Sequence, residues 1–453
     1  MENKKLFFLL SEDDGKKVFV LKTNNVWKIP EFDQRVPGNI AFDNPDPYLQ
    51  WFEYEYGIPV FRRYIIESIT SDSTYMILEP KDKKYPILSN YSWLPIDNLL
   101  VKYSDQTALY TIIGNLTAHY NKSFTLPWVN KNGYGIYTEW AIKTLRLLGK
   151  NPTGSMRQIK NAYVSSVFCC PTNEGDFYLK IPSNVYIREF EITKELKSWD
   201  IIQLPEWAAF DESTKTILMR DMGGSDLSAD ADKAILTLVV KEYAKFQKSA
   251  IDYINLSNPY PFYDLRASVL ISRVESLVVD AVKLLQGSQF ELDEKEVSNL
   301  LKKIPYWKKL CEQVQKYPIP YSLDHGDLRP GNIHITERGI IFFDWAWSAI
   351  AHPFFSICSF FHVIRRSISD STKIHLRDVY LKEWQSFAAM GELLELFELV
   401  EQLRDLYCVL GDRDWLEAIQ KLLAWQTPNF ASPDDYTLER RQYYFARVLR
   451  RLI

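Results

Sequence analysis

Residues 324–332 read Asp324-His325-Gly326-Asp327-Leu328-Arg329-Pro330-Gly331-Asn332, and after an apolar stretch the chain continues into Phe343-Asp344-Trp345. Two carboxylates and a carboxamide in this order suit ATP-dependent phosphoryl transfer. That chemistry needs one carboxylate beside an acceptor hydroxyl, and hard oxygen ligands for the magnesium ions on the nucleotide. Asp327 is the candidate catalytic base, with Asn332 and Asp344 the candidate metal ligands. A lone His-Gly-Asp would be only a turn, and a lone Asp344 only a helix cap. The whole constellation is what points to chemistry.

The segment between these residues has to position them. Ile333-His334-Ile335 and Ile340-Ile341-Phe342-Phe343 have the character of two short strands, with Thr336-Glu337-Arg338-Gly339 turning between them. Such a hairpin would bring Asn332 and Asp344, at its two outer ends, to one edge where they can share a metal.

The protein-kinase signature is His-Arg-Asp-Leu-x-x-x-Asn followed by Asp-Phe-Gly. Here the Asp-to-Asn offset is the same, but Gly326 replaces the Arg and Trp345 the Phe. In this form, His-Gly-Asp-x-x-x-x-Asn then Asp-Trp, the chain resembles the aminoglycoside phosphotransferase and choline kinase-like family. The resemblance covers residues 150–453 well. It implies an α+β, two-lobed protein-kinase-like fold, with an antiparallel-sheet N-lobe and a mainly helical C-lobe. It also implies ATP (or GTP) and magnesium as cofactors and a small-molecule hydroxyl as acceptor: an aminoglycoside, a choline-like compound, a sugar or an amino alcohol.

The same resemblance assigns further residues. Val164–Phe168 and Asp176–Lys180 read as antiparallel strands turning at Asn173-Glu174-Gly175, and Lys180 ends its strand where a kinase lysine reaches the nucleotide phosphates. Glu189 is the glutamate expected to pair with that lysine, because Leu196 follows it at the family's spacing; Glu191 is the competitor. The chain lacks a glycine-rich loop, and Ser165 and Ser166 are the candidates for phosphate contact, of which strand alternation would turn one to the nucleotide. Ile217–Gly224 matches the family's hinge strand, so backbone groups of Asp221, Met222 and Gly223 would bind adenine. The family usually carries an aspartate, in a buried helix-capping role, where Ser356 stands. Gly326 in place of the loop Arg, no Ala-Pro-Glu and no long Ser/Thr-bearing loop after Asp344 argue against a protein kinase.

These readings divide the chain into 1–125, a linker helix in 126–150, an N-lobe over 151–224 and a C-lobe over 225–453. The first part is faintly similar to a degenerate Nudix-like α/β domain, with an early hairpin, a helix over 45–56 and Trp93-Leu94-Pro95 before a short helix. A Nudix box needs an Arg-Glu-x-x-Glu-Glu core. Leu49-Gln50-Trp51-Phe52-Glu53-Tyr54-Glu55-Tyr56-Gly57 keeps two glutamates without the Arg or the adjacent acidic pair, so no hydrolase activity is expected. The linker reads as an amphipathic helix on Trp140, Ile142, Leu145 and Leu147-Leu148, and Asn151-Pro152-Thr153-Gly154 is a break. Helices over 235–246, 265–285 and 297–314 show 3.6-residue apolar spacing. The acidic block 383–417 fits a solvated helix face better than a pocket for a cationic acceptor.

Composition sets the outer limits. A chain of 453 residues suggests two or three domains, and 46% apolar with 25% charged residues is globular. A net charge of only −4 does not call for a nucleic-acid or membrane-surface partner. Leu6–Leu10 is too short for a signal segment, which suggests a cytoplasmic protein. Five cysteines, an odd number, fit free thiols, with Cys169-Cys170 as buried strand residues; the histidines lack zinc-site spacing. Oligomeric state is not legible. The rival reading is a nucleotide-binding regulator without catalysis that serves an N-terminal sensor.

Overall fold

Strand Lys5–Glu12 (β1) sends Leu6, Phe8 and Leu10 to one core and Leu9 to another, the period of two that a strand imposes. In the computed structural model, which describes residues 5–12, 16–23, 26–34, 36, 44–68, 73–81, 91–102, 126–129, 133–162, 164–228, 230–423, 430–431 and 438–453, the same alternation in the first sheet sets Tyr75 and Ile77 apart from Met76 and Leu78. Lys17–Thr23 (β2), Val26–Lys28 (β3), Val60–Ser68 (β4), Ser73–Pro80 (β5) and Tyr91–Pro95 (β6) join β1 there. The order is β4-β5-β1-β2-β3, with β6 also on β2 and Phe430–Ala431 outside β4. β1 runs parallel to β5 and antiparallel to β2. Phe19, Met76 and Leu78 pack with Leu49 and Phe52 of the helix Asp46–Tyr56. That helix stops at Gly57, whose left-handed φ of 66° lets its N–H reach the Glu53 carbonyl at 2.8 Å.

The opposite face shares a core with a second sheet, built from Arg157–Asn161 (β7), Ser165–Thr172 (β8), Gly175–Pro182 (β9), Trp207–Asp211 (β10) and Thr216–Arg220 (β11), in the order β10-β11-β9-β8-β7. β7–β8, β8–β9 and β9–β11 are antiparallel. Leu9, Val18 and Ile77 of the first sheet meet Phe168, Phe177 and Leu218 of the second in one cluster, together with Tyr137, Ala141 and Leu145 of the helix Gly135–Leu147. The expected linker helix is therefore a core element. Its buried stripe runs through 137, 141 and 145, while Leu147 and Leu148, expected on the apolar face, are exposed because they lie past that stripe. Buried hydrogen bonds pin the sheets together: the Arg62 amide donates to Gln158 Oε1 (2.7 Å), and Asn161 Nδ2 donates to the carbonyls of Arg62 (2.5 Å) and Arg63 (3.0 Å).

By contact density the chain falls into two units, Met1–Ile187 with Ala208–Arg220 and Ala418–Arg441, and Arg188–Trp207 with Asp221–Glu417 and Gln442–Ile453. The second is mainly helical. Lys233–Ala250 starts on Asp232, whose carboxylate accepts from the Ile235 amide at 2.8 Å, and buries Leu236, Val240, Tyr243 and Gln247 along one face. Ala267–Lys283, Glu294–Val314, Phe354–Ile364, Asp370–Lys382 and Met390–Leu423 follow. Two small sheets sit among them. Ser225–Asp226 (β12) pairs with the hairpin Ile333–Thr336 (β15) and Gly339–Phe342 (β16); Tyr263–Leu265 (β13), Ala349–Ala351 (β17) and Ser322–Asp324 (β14) form the other. The fold class is α+β and kinase-like: an antiparallel five-stranded sheet precedes a helical part that carries the hairpin. Among the described residues, no helix is long and apolar enough to cross a membrane. Cys169, Cys170, Cys311, Cys358 and Cys408 are free thiols.

Candidate active site

Strand β14 delivers the chain to Asp324, and the loop that follows is held chiefly by its backbone. Gly326 has φ 77°, and a Cβ there would stand 2.7 Å from the Trp347 carbonyl carbon, with the carbonyl oxygen closer still. Only glycine permits that approach. His325 is fully buried and packs against the Trp345 ring at 4.4 Å, tilted by 38°. Burial pushes its imidazole below the ordinary value, against the pull of the Asp327 carboxylate. In the neutral ring the proton lies on Nε2, which donates to the Phe343 carbonyl (2.9 Å), while Nδ1 accepts from the Asp327 amide (3.3 Å). One imidazole thus ties the loop to the residue preceding Asp344.

Asp327 is 40% exposed, and one of its carboxylate oxygens is already engaged. Oδ2 accepts from Arg329 Nε (3.0 Å) and from Asn332 Nδ2 (2.9 Å). Asn332 Nδ2 also donates to the Asp327 carbonyl (2.8 Å). With its side-chain nitrogen turned to Asp327, Asn332 keeps its side-chain Oδ1 as the remaining ligand atom. Asn332 is followed at once by β15, and the register Ile333↔Phe342 brings Phe343 alongside it; the Phe343 amide donates to the Asn332 carbonyl at 3.1 Å. Asp344 follows in a left-handed conformation with φ 65°, one of the two non-glycine residues with positive φ among the described residues. Aspartate tolerates that region better than most, and strain of this kind concentrates at functional positions. The hairpin therefore brings Asn332 and Asp344 to one edge. A carboxamide and a carboxylate are hard oxygen ligands that fit magnesium, which takes few protein ligands and completes its shell with phosphate and water. Among the described residues there is no cluster of three or more His, Cys, Asp or Glu arranged for a metal.

The hinge residues lie in the same unit. Asp221 and Gly223 are exposed and Met222 is half-buried; the Gly223 amide donates to Asp221 Oδ1 at 3.3 Å. Gly223 and Gly224 both have positive φ, and a Cβ on Gly224 would lie 2.9 Å from the Ile335 carbonyl carbon. Two residues later Asp226 pairs with His334 in the β12–β15 register, so the hinge is docked on the hairpin that carries Asn332. Glu189 is buried in the first turn of the helix Arg188–Lys197, whereas Glu191 is half-buried.

Lys180 lies in the other unit, in the middle of its sheet, opposite Val167 and Ile217. The serine expectation needs correcting. Alternation does place Ser165 and Ser166 on opposite faces, but both faces are covered, and neither side chain exceeds 1% exposure. Ser166 Oγ sits among Gln158 Nε2 (3.1 Å), the Tyr134 hydroxyl (3.2 Å) and the Lys160 carbonyl (3.3 Å). Its hydroxyl belongs to the network between the two sheets.

Residues without a role in the sequence reading frame the loop: Arg329 on the Asp327 carboxylate, and Asp324, which Ser356 and Tyr407 contact from below. Burial raises the Asp324 carboxyl above the usual carboxylate range, while hydrogen bonds from Ser356, Tyr407 and Gly326 pull it down. A second acidic residue in front of His-Gly-Asp was the only signal in the sequence.

The chain belongs to the phosphotransferase enzyme family, whose model matches residues 155–396, more than half of its length. It is thus a phosphotransferase. The match begins after the N-terminal part and lends no support to the Nudix-like reading of residues 1–125. Among solved structures, the chain is similar to choline kinase from Cryptosporidium parvum Iowa II, at 15% identity over 69% of this chain and 95% of that one, with a TM-score of 0.47. It is similar to choline kinase LicA from Streptococcus pneumoniae (14%, 70% and 99%, TM-score 0.45) and to Plasmodium vivax ethanolamine kinase (14%, 71% and 89%, TM-score 0.44). Values this low assign neither acceptor nor nucleotide. No curated protein matches the chain.

Proposed function

We propose that this phosphotransferase is an ATP- and magnesium-dependent kinase that phosphorylates a hydroxyl group of a small molecule. The reading rests on one observation: Asp327, Asn332 and the segment leading into Asp344 are linked to one another by direct hydrogen bonds and through His325. In it, Asp327 orients the acceptor hydroxyl through its Oδ1, the oxygen that Arg329 and Asn332 leave available, and takes the proton as the hydroxyl attacks the γ-phosphorus. Asn332 and Asp344 would hold magnesium, which when bound neutralises charge on the phosphate oxygens. Lys180 would serve the phosphates with Glu189 as its partner, and the exposed backbone of Asp221–Gly223 would take the base. The wall around His325 and Trp345 keeps the floor of the loop dry and its aspartate fixed.

The test is ADP release from ATP and magnesium across a panel of hydroxyl compounds: an aminoglycoside, choline, ethanolamine, sugars and amino alcohols, with GTP in parallel. At least one compound should stimulate release. Asp327→Asn should then keep nucleotide binding and lower turnover by about 10²–10⁴-fold, the usual span for a lost general base. Asp344→Asn should lose magnesium-dependent nucleotide binding and turnover together. Tight ATP binding without release for any compound would replace this reading with that of a nucleotide-binding regulator.

A further inference from the structure

Asp324 has no place in the scheme above, yet its carboxylate is fully buried beneath the loop. Three donors converge on Oδ1: the Tyr407 hydroxyl (2.5 Å), Ser356 Oγ (2.6 Å) and the Gly326 amide (3.1 Å). Oδ2 accepts from the Ser356 amide at 2.8 Å. That amide belongs to the first turn of the helix Phe354–Ile364, where unpaired N–H groups and the helix dipole favour an anion. The Gly326 amide also lies 3.2 Å from Ser356 Oγ, so the pair Asp324–Ser356 brackets it.

We propose that Asp324 is a positioning residue for catalysis, which fixes the Gly326 amide and through it the aim of Asp327. The inference rests on the reading of Asp327 as the base. Its physical ground is the cost of the arrangement. An unpaired buried carboxylate is strongly destabilising, and even a fully paired one is seldom better than an apolar substitute for stability alone. What a charge provides here is direction, because only an acceptor with lone pairs on both oxygens can serve all four donors. An amide at this place would turn an NH2 group toward one set of donors and release either the helix end or Gly326. The anchors are themselves immobilised. Tyr407 stacks on Phe355 at 4.4 Å, and the His325 amide donates to the Tyr243 hydroxyl at 3.2 Å. Gln247 Nε2 donates to the Pro353 carbonyl (2.7 Å), just before the helix that supplies Ser356. The loop is thus referenced to two helices through the Asp324 carboxylate, and to a third through the His325 amide on Tyr243. Asp324 touches no substrate in this scheme; it acts through the backbone.

The experiment uses the full chain and three proteins: wild type, Asp324→Asn, and the exchange Asp324→Ser with Ser356→Asp. Because Ser356 Oγ lies 2.6 Å from Asp324 Oδ1 and 3.2 Å from the Gly326 amide, the exchange restores a carboxylate to the same place from the opposite side. Hydrogen exchange at the Gly326 amide is read first, since it needs neither nucleotide nor acceptor. Asp324→Asn should accelerate it, and should lower kcat about 10-fold or more while KM for ATP stays within about 2-fold, the pattern of a misaimed base rather than a damaged nucleotide site. The exchange variant should recover both protection and kcat. Unchanged exchange and kcat in Asp324→Asn would overturn the proposal. So would an exchange variant that melts like wild type yet leaves Gly326 unprotected. A wild type without turnover, but with Gly326 protection that depends on Asp324, would sink the kinase reading and leave the hydrogen-bond assignment standing. If Asp324→Asn does not fold, the exchange variant decides alone.

Discussion

Gly326→Ala should be far more damaging than Gly331→Ala, although the two glycines lie five residues apart in the same loop. At Gly326 a methyl group would sit 2.7 Å from the Trp347 carbonyl carbon, where ordinary contact begins near 3.4 Å. The shortfall is 3.4 − 2.7, so the chains must part by at least 0.7 Å there, and by more to clear the carbonyl oxygen. Trp347 cannot yield easily: its ring stacks on Tyr263 at 6.2 Å, and the next carbonyl, of Ser348, accepts from the Tyr263 amide at 3.1 Å. The displacement therefore falls on the loop. A misplacement of about 1 Å at a reacting group costs about 10²-fold in rate, or about 2.7 kcal/mol of barrier. The left-handed φ of 77° adds about 1–2 kcal/mol against any residue with a Cβ, which appears as lost stability. At Gly331 the nearest atom to a new Cβ is Arg329 Nη1 at 3.6 Å, with no left-handed φ, so alanine should leave turnover within about 2-fold. The assay is steady-state ADP release with the stimulating acceptor, paired with urea denaturation. Equal turnover in the two variants would refute the argument that the loop's backbone path, rather than its side chains alone, sets the rate.

Two further outcomes follow from buried groups. His352 is fully buried and burial pushes its imidazole from the ordinary 6.5 down to about 3, so it stays neutral in the fold while the unfolded chain takes up a proton below 6.5. Stability should be complete above 6.5 and fall as the pH drops toward 3, by about 2 kcal/mol at pH 5, and His352→Phe should flatten that slope in urea melts at pH 7 and 5; parallel slopes would contradict it. Ser166→Ala should cost about 1 kcal/mol of stability through its lost hydrogen bonds and leave nucleotide affinity by calorimetry unchanged, and a marked loss of affinity would return Ser166 to the phosphate site.

Much of the candidate catalytic loop was legible because its geometry is local. The hairpin between Asn332 and Asp344 is written in alternating apolar residues and a tight turn, and pairing Ile333 with Phe342 forces its ends together. The helices over 233–250, 267–283 and 294–314 were legible for the same reason, since 3.6-residue spacing survives whatever they pack against. What depended on distant partners was not. Nothing in the run Leu6–Leu10 tells that β1 lies parallel to β5, some seventy residues later. Ser165 and Ser166 looked like a phosphate loop because the residues that bury Ser166, Gln158 and Tyr134 among them, come from a neighbouring strand and from the residue that caps a separate helix. Leu147 and Leu148 looked buried by type, and only the end of the helix decided otherwise.

Asp324 is the instructive case. Its partners Ser356 and Tyr407 are 32 and 83 residues away, so no spacing rule could have joined them. The arrangement has a chemical logic nonetheless. A base that must accept a proton, and ligands that must meet a metal, lose their use if their own side chains are consumed in holding the loop. Here the fixing contacts are made by main-chain groups: the Gly326 amide on Asp324, the Asp327 amide and Phe343 carbonyl on His325, and the Phe343 amide on the Asn332 carbonyl. Asp327 keeps Oδ1, and Asn332 its side-chain Oδ1, for other work. The loop residues proposed to carry the chemistry are close in sequence and recognisable as a motif, whereas those that hold the loop come from three separate helices, which is why the first could be read and the second had to be seen.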